Sequence, residues 1–220
     1  LASLLAVEFV QRSLVKDDDI ELSKQIALNS SYIASKIDTH GGDHARDAVA
    51  LPVLTIQYNV QTLKMEDDEI DLFSRLRSEK CAIVCIQENR KRYNGIKDIY
   101  GYFRCMAAGA NGDHGVEVCI SRTLPFAIDS DGQKVFVKRE DISIVVYNPR
   151  CVVVRISNDV LNFYAVSAHA PFLKSTTPFK TWWINFQNGI SRHCKPNIPV
   201  ILGIDTNCQM YESTSVFPNW

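Results

Sequence analysis

No apolar run in the 220-residue chain approaches the roughly 20 residues that a membrane-spanning helix needs, and no basic segment precedes a cleavable apolar stretch. A visible helical anchor or secretory leader is thereby excluded. Glycine and proline are sparse, at 10 and 8 residues, and no internal repeat or low-complexity tract occurs, which excludes the collagen-like and disordered classes. The seven cysteines (Cys81, Cys85, Cys105, Cys119, Cys151, Cys194 and Cys208) are odd in number and contain no Cys-x-x-Cys spacing. Most sit inside apolar runs, so reduced core thiols of an intracellular protein are expected, with nucleus and cytoplasm not distinguished. Overall charge is also missing, with 24 Lys+Arg against 25 Asp+Glu, although from residue 72 onward 18 basic residues face 12 acidic ones. That bias favours a polyanionic partner, weakly, because scattered surface charge mostly serves solvation.

What is present describes a globular chain of one domain, or one and a piece: 46% hydrophobic and 22% charged residues. A chain of this length buries about 70% of its unfolded surface and needs neither disulfide nor structural metal. Apolar residues at helical spacing in 1–37 predict two short helices. The stretch from His40 through Gly41, Gly42, Asp43 and His44 to Asp47 reads as a linker rather than a metal cluster. Residues 1–50 are thus expected as a helical extension and linker, and 51–220 as the main unit. Seven β-rich runs follow: 53–58, 81–87, 115–120, 142–147, 151–156, 161–168 and 199–204. One amphipathic helix, with Ile70, Phe73 and Arg77 joined by Leu72 and Leu76 on its face and Glu66–Glu69 at its dipole-favoured start, precedes the second run. Another begins at Thr177–Pro178, presents Trp183, Phe186 and Ile190, and ends before Pro196. The near-continuous apolar runs 151–154 and 199–202 predict central strands covered on both faces. The fold class expected is α+β: a two-sheet β-sandwich flanked by helices.

Polar residues stand at four strand ends: Asn59, Gln87–Glu88, His169, and Asp205 with Asn207. Each alone is turn chemistry. Delivered to one rim, the amides of Asn59 and Asn207, the carboxylates of Glu88 and Asp205 and the His169 imidazole make the donor set that a divalent cation and a phosphate need. Glu88 is the leading ligand, and Asp205 a group to orient or deprotonate water.

The segments Leu54–Leu63 (LTIQYNVQTL), Val84–Arg90 (VCIQENR), Gly115–Val118 (GVEV), Pro149–Val152 (PRCV), Val166–Pro171 (VSAHAP) and Leu202–Asn207 (LGIDTN) resemble, in order and spacing, the DNase-I-like endonuclease/exonuclease/phosphatase superfamily. The pattern is most similar to endonuclease domains of non-LTR retrotransposons. The resemblance implies a four-layer fold and Mg²⁺-dependent phosphodiester hydrolysis, with Mn²⁺ as the substitute cation and DNA as the partner. Glu88 would bind the metal with Asn59 in support, Asp205 would align water, Asn207 and His169 would meet the scissile phosphate, and Arg90 and Arg150 would hold it. Two departures are visible: Gln61 stands where many relatives carry an acid, and the usual closing Asp-His pair is not reached, which predicts a domain incomplete at its C-terminal end. The alternatives are another phosphoesterase of the superfamily (phosphoinositide phosphatase, sphingomyelinase or deadenylase) and an inactive remnant.

Overall fold

The computed structural model describes residues 48–172 and 176–207. The helices expected in 1–37, the 40–47 linker and Cys208 lie outside the described residues. In chain order the elements are β1 (Val49–Ala50), β2 (Leu54–Asn59), α1 (Glu66–Ser78), β3 (Cys81–Gln87), β4 (Gly95–Ile99), β5 (Tyr102–Ala107) and β6 (Val116–Ser121). They continue with β7 (Ala127–Ile128), β8 (Lys134–Val135), β9 (Ile142–Asn148), β10 (Cys151–Ser157), β11 (Asn162–His169), α2 (Thr176–His193) and β12 (Val200–Asp205).

Two βαβ units organise the molecule. In the first, β2 and β3 are parallel and joined through α1; in the second, β11 and β12 are parallel and joined through α2. Each unit forms one edge of a different sheet. A five-stranded sheet runs β2-β3-β6-β5-β4, and a four-stranded sheet runs β12-β11-β10-β9. A small third sheet, β1-β7-β8, ties Val49 and Ala50 to Ile128 and Ala127.

The sheets face each other across a core that includes Ile83, Cys85, Phe103, Cys105, Val118, Val152, Val154 and Ala165. Outside the first sheet, Phe73 and Leu76 of α1 cover Val84, Ile86 and Tyr102. Outside the second, Phe186 of α2, stacked on Trp182 at 5.0 Å between ring centroids, covers Val153, Tyr164 and Val166. The result is the expected sandwich, layered helix, sheet, sheet, helix. β3 is buried along its whole length because a helix covers one face and the other sheet covers the second. No helix among the described residues is long and apolar enough to cross a membrane.

Three sequence expectations are corrected. Among the described residues the run 199–204 forms an edge strand in its sheet, not a central one, while 151–156 is internal as expected. Ile70, 43% exposed, and Arg77 both face solvent, because α1 turns Glu69, Phe73 and Leu76 inward instead. β4 and β5 were not anticipated at all. β4 is an edge strand with Lys97 and Asp98 exposed, and the β5 run is interrupted by Arg104, so neither shows an uninterrupted apolar signal.

Arg104 is nevertheless only 2% exposed. Its Nη2 donates to both oxygens of the fully buried Glu117 at 2.9 Å, its Nη1 donates to Glu69, and the guanidinium lies 4.4 Å from the centre of the Phe73 ring. Lys91 adds a second cation to Glu69 at 3.0 Å. Burial works to raise the pKa of Glu69, yet the hydrogen bonds and charges of Arg104 and Lys91 outweigh it and leave the pKa lowered. Burial raises that of Glu117, with Arg104 opposing. Burial also pushes the thiols of Cys81, Cys85 and Cys105 up to about 12, which keeps them protonated and unreactive.

The two sheets approach closely at Gly203 in β12. A Cβ there would lie 2.3 Å from Cys85 Cβ and 3.3 Å from Gln57 Cβ, so only glycine admits this approach. Beside it the fully buried Gln87 donates to Ser167 Oγ at 2.9 Å, accepts from Gln57 at 2.6 Å, and Ser167 Oγ donates to Ile86 O at 2.9 Å. Gly203→Ala is expected to destabilise the chain by roughly 1–3 kcal/mol through overpacking, read as a lower urea midpoint; an unchanged midpoint would show that the sheets separate freely. For Glu69 the sign follows from its lowered folded pKa. Its contribution is present above the unfolded value, about 4.3, and lost as pH falls through the folded one. The stability advantage of wild type over Glu69→Gln should therefore be largest near pH 7 and shrink below about pH 4. A gap that stays constant down the acid range contradicts the assignment.

Candidate active site at the strand ends

Parallel pairing makes the site. In one sheet Asn59 is in register with Gln87, and in the other His169 is in register with Asp205, so each βαβ unit finishes two strands level with one another. The close approach at Gly203 sets both pairs of ends at one rim. Carboxyl ends of parallel strands are where open α/β sheets gather ligands, since the chain turns away there and leaves a crevice.

The loops leaving those strands are bonded into a continuous series. Val60 N–H donates to Gln87 O (3.1 Å), Leu63 N–H to Asn89 O (3.1 Å), Asn89 N–H to Gly115 O (3.2 Å) and Arg90 N–H to His114 O (2.8 Å). Gly115 N–H donates to Pro149 O (3.1 Å), His169 N–H to Arg150 O (2.9 Å) and Ala170 N–H to Asp205 O (2.8 Å). Gly115 has φ of 88°, and a Cβ on it would fall 2.2 Å from Asn89 Oδ1. Five of the seven non-glycine residues with positive φ among the described residues line this rim: Gln61, Glu88, Arg90, His114 and Asn207. Left-handed backbone is unfavourable for Glu and Arg in particular, and strain of this kind concentrates where a side chain must be aimed.

Within the rim the predicted residues converge. Asn59 Nδ2 donates to Glu88 Oε1 at 3.0 Å and to Asp205 Oδ2 at 2.5 Å, while Asn59 Oδ1 accepts from Gln61 N–H at 2.9 Å. His169 Nε2 lies 3.4 Å from Glu88 Oε1 and 3.9 Å from Asp205 Oδ2. Asn207 Nδ2 reaches His169 Nε2 at 2.8 Å and Ala170 O at 2.6 Å, and Asn207 N–H donates to Asp205 Oδ1 at 3.0 Å. An amide nitrogen only donates, so in this arrangement Nε2 is the accepting ring nitrogen of His169. Arg90 Nη2 donates to Glu88 Oε2 at 3.1 Å. Arg150, in the tight β9–β10 turn and fixed by its own N–H to Asn148 Oδ1, sends Nη1 to His169 O at 3.3 Å.

Electrostatics hold Glu88 toward its charged form and His169 toward its neutral form. Burial works to raise the pKa of Glu88, but the hydrogen bonds from Asn59 and Arg90 and the neighbouring His169 and Arg90 charges bring it below the ordinary value. Burial lowers that of His169, with Glu88 and Asp205 opposing.

One residue of the rim carried no sequence signal. His114 Nε2 accepts from Arg150 Nη2 at 2.9 Å, and its ring stands edge-on to His169 with centroids 5.7 Å apart. It sits in a loop before Gly115, outside any apolar run, and the only hint was that glycine marks a turn beside it.

The donor set fits a divalent cation. One oxygen each from Glu88 and Asp205 and a nitrogen of His169 all lie within 4.8 Å of one another, and both carboxylates converge on a single amide donor, Asn59 Nδ2. Two anions aimed at one point are what a small dication satisfies. Oxygen donors suit Mg²⁺, and the imidazole makes Mn²⁺ acceptable as well.

No protein-family model matches the chain, and no curated protein sequence matches it. Among solved structures it is similar to the endonuclease domain of TRAS1, a telomere-specific non-LTR retrotransposon, at 19% identity and a TM-score of 0.43, covering 70% of this chain and 59% of that one. It is also similar to a humanised D. rerio TDP2 (15% identity, TM-score 0.47, 70% and 62% covered). A third is an endonuclease/exonuclease/phosphatase family protein from Bacteroides thetaiotaomicron (10% identity, TM-score 0.43, 76% and 66% covered). The chain thus spans less than two thirds of the length of the first two.

Binding of Mn²⁺, followed by loss of the free-ion electron paramagnetic resonance signal, should weaken about 10- to 100-fold in Asn59→Leu, which leaves the carboxylates without their bridging amide. Unchanged affinity there would remove Asn59 from the centre.

Proposed function

We propose that this chain contains the site of a Mg²⁺-dependent phosphodiesterase and that it acts on DNA as an endonuclease of the retroelement type. The observation that carries the reading is the meeting of Glu88, His169 and Asp205, 117 positions apart from first to last, within 4.8 Å. Glu88 is the ligand best placed to receive a cation, because its side chain is 20% exposed against 5% and 4% for His169 and Asp205. His169 and Asp205 complete the donor set. A divalent cation held there would supply Lewis-acid charge, and Mn²⁺ would substitute for Mg²⁺.

The rest of the chemistry belongs to the chain's own residues. Asp205, gripped at Oδ1 by Asn207 N–H and at Oδ2 by Asn59, is held rigidly enough to orient a water and accept its proton. Asn207, its Nδ2 resting on the accepting Nε2 of His169, would donate to the scissile phosphate, with His169 beside it. Arg150 adds a cation, anchored between His169 O and His114. Arg90, in contrast, lies on Glu88 and offsets its charge. The basic excess after residue 72 supports a polyanionic substrate.

Plasmid nicking in Mg²⁺ tests the reading. Glu88→Ala and Asp205→Ala should each lower the nicking rate by about 10²-fold or more. Parallel reactions on poly(A), a phosphoinositide and sphingomyelin separate the other phosphoesterase activities. Nicking at wild-type rate by both variants would refute the assignment of the site, and turnover of one of the other substrates in place of plasmid would refute the DNA assignment.

A further inference from the structure

The β3–β4 loop carries the run Arg90-Lys91-Arg92-Tyr93, with Lys97 close behind. Two of its cations are already engaged: Arg90 on Glu88 and Lys91 on Glu69. Arg92, Tyr93 and Lys97 instead face solvent. Tyr93 is 38% exposed, and Tyr147, near the end of β9, is 49% exposed. Large aromatic surface left open beside a cluster of charge is the combination that singles out this region.

The Tyr93 ring is held in place. Lys97 Nζ stands 4.1 Å from its centroid, and the ring lies against Gly95, where the absent side chain leaves room: a Cβ on Gly95 would touch the ring at 3.5–3.8 Å. Tyr147 lies three residues before Arg150, in the hairpin whose Pro149 O is bonded by Gly115 N–H. The same 109–115 loop backs the β3–β4 loop, since Gly112 lies against Arg90 O and the Arg92 side chain. The 109–115 loop thus joins the segments that carry Tyr93 and Tyr147 into one surface. That surface is continuous with the strand-end site through Arg90 and Arg150.

We propose that Tyr93 and Tyr147, with Arg92, Lys97 and Arg150, form a shelf on which unpaired nucleobases next to the scissile phosphodiester stack, so that the chain favours single-stranded segments over blunt duplex. The proposal rests on the phosphodiesterase reading above for what enters the site. Its physical basis is separate. Every base offers a π face whatever its identity, a paired base hides that face in the helix stack, and cations beside the rings meet the phosphates that link the bases. A lipid surface would ask for a contiguous aliphatic patch, whereas the side chains here are two phenols among three cations.

The test is equilibrium binding of the full chain without divalent cation, measured by fluorescence anisotropy. The probes are a short oligo-dT, an oligo-rU of equal length, a blunt hairpin duplex and an abasic strand with the same number of phosphates. Tyr93→Ala and Tyr147→Ala should each weaken binding of base-bearing single strands by roughly five- to tenfold or more, with less than about a twofold change on duplex and abasic strand. Tyr93→Phe and Tyr147→Phe should bind as wild type, because stacking uses the ring and not the hydroxyl. Arg92→Ala should weaken all four probes alike and flatten the salt dependence. Tighter dT or tighter rU identifies the strand as DNA or RNA, and either keeps the shelf. Alanine variants that bind like wild type, or that lose the abasic strand equally, overturn it. Because binding needs no cation, a chain that failed to nick would still decide this point, and a shelf that failed would leave the nicking result standing.

Discussion

The rest of the architecture depends on how closely β12 approaches β3. Where Gly203 faces Cys85, the absence of a side chain lets the two sheets come nearer than ordinary sheet packing of about 10 Å allows elsewhere in a sandwich. Gln87 and Ser167 then bond across the gap, with Gln57 tied to Gln87 from the neighbouring strand, and these buried polar groups hold one register between the sheets. Apolar packing alone would tolerate sliding, since many arrangements bury similar area, whereas an unmet amide in the core costs about 1–3 kcal/mol. Glu88 follows directly after Gln87, and Asp205 lies two residues after Gly203. The inter-sheet contact therefore fixes the distance between the two carboxylates on which the chemistry turns.

A second layer of charge lies beneath that rim. Glu69 at the start of α1, Arg104 in β5, Glu117 in β6 and Lys91 in the loop after Glu88 form a connected set, most of it buried. Asn89, also buried, faces Glu117 and its Oδ1 holds Lys91 N–H at 3.1 Å. The left-handed turn that presents Glu88 and Arg90 is thus supported from below by ion pairs and from the side by the loop before Gly115. Such pairs contribute little net stability compared with apolar packing but are costly to leave half made, which gives the turn a defined conformation.

Much of this was legible before any coordinates. Apolar runs located β2, β3, β6, β9, β10, β11 and β12 within a residue or so, because a strand covered on both faces must be almost wholly apolar. Acidic residues at the head of α1 and the proline near the head of α2 marked both crossovers. β4 and β5 were illegible for the opposite reason. Arg104 looks like a surface residue until Glu117 and Glu69 are brought to it from elsewhere in the chain. Ile70 looks like a core residue until the helix rotation is set by Phe73 and Leu76. The 199–202 run reads as central because composition reports coverage of a strand's faces and not whether its edge is paired.

Residue order alone determined which side chains end strands, since period and turn chemistry are local properties that a few neighbouring residues settle. Asn59, Glu88, His169, Asp205 and Asn207 were nameable on that ground, and so were the helices that return each chain segment to its sheet. Their meeting was not. Whether four strand ends share a rim depends on inter-sheet register, and that is a long-range quantity governed by Gly203, Cys85 and Gln87 together. The same holds for His114 and for the Tyr93–Tyr147 surface, whose parts are ordinary turn and edge residues until hydrogen bonds between distant loops join the segments that carry them.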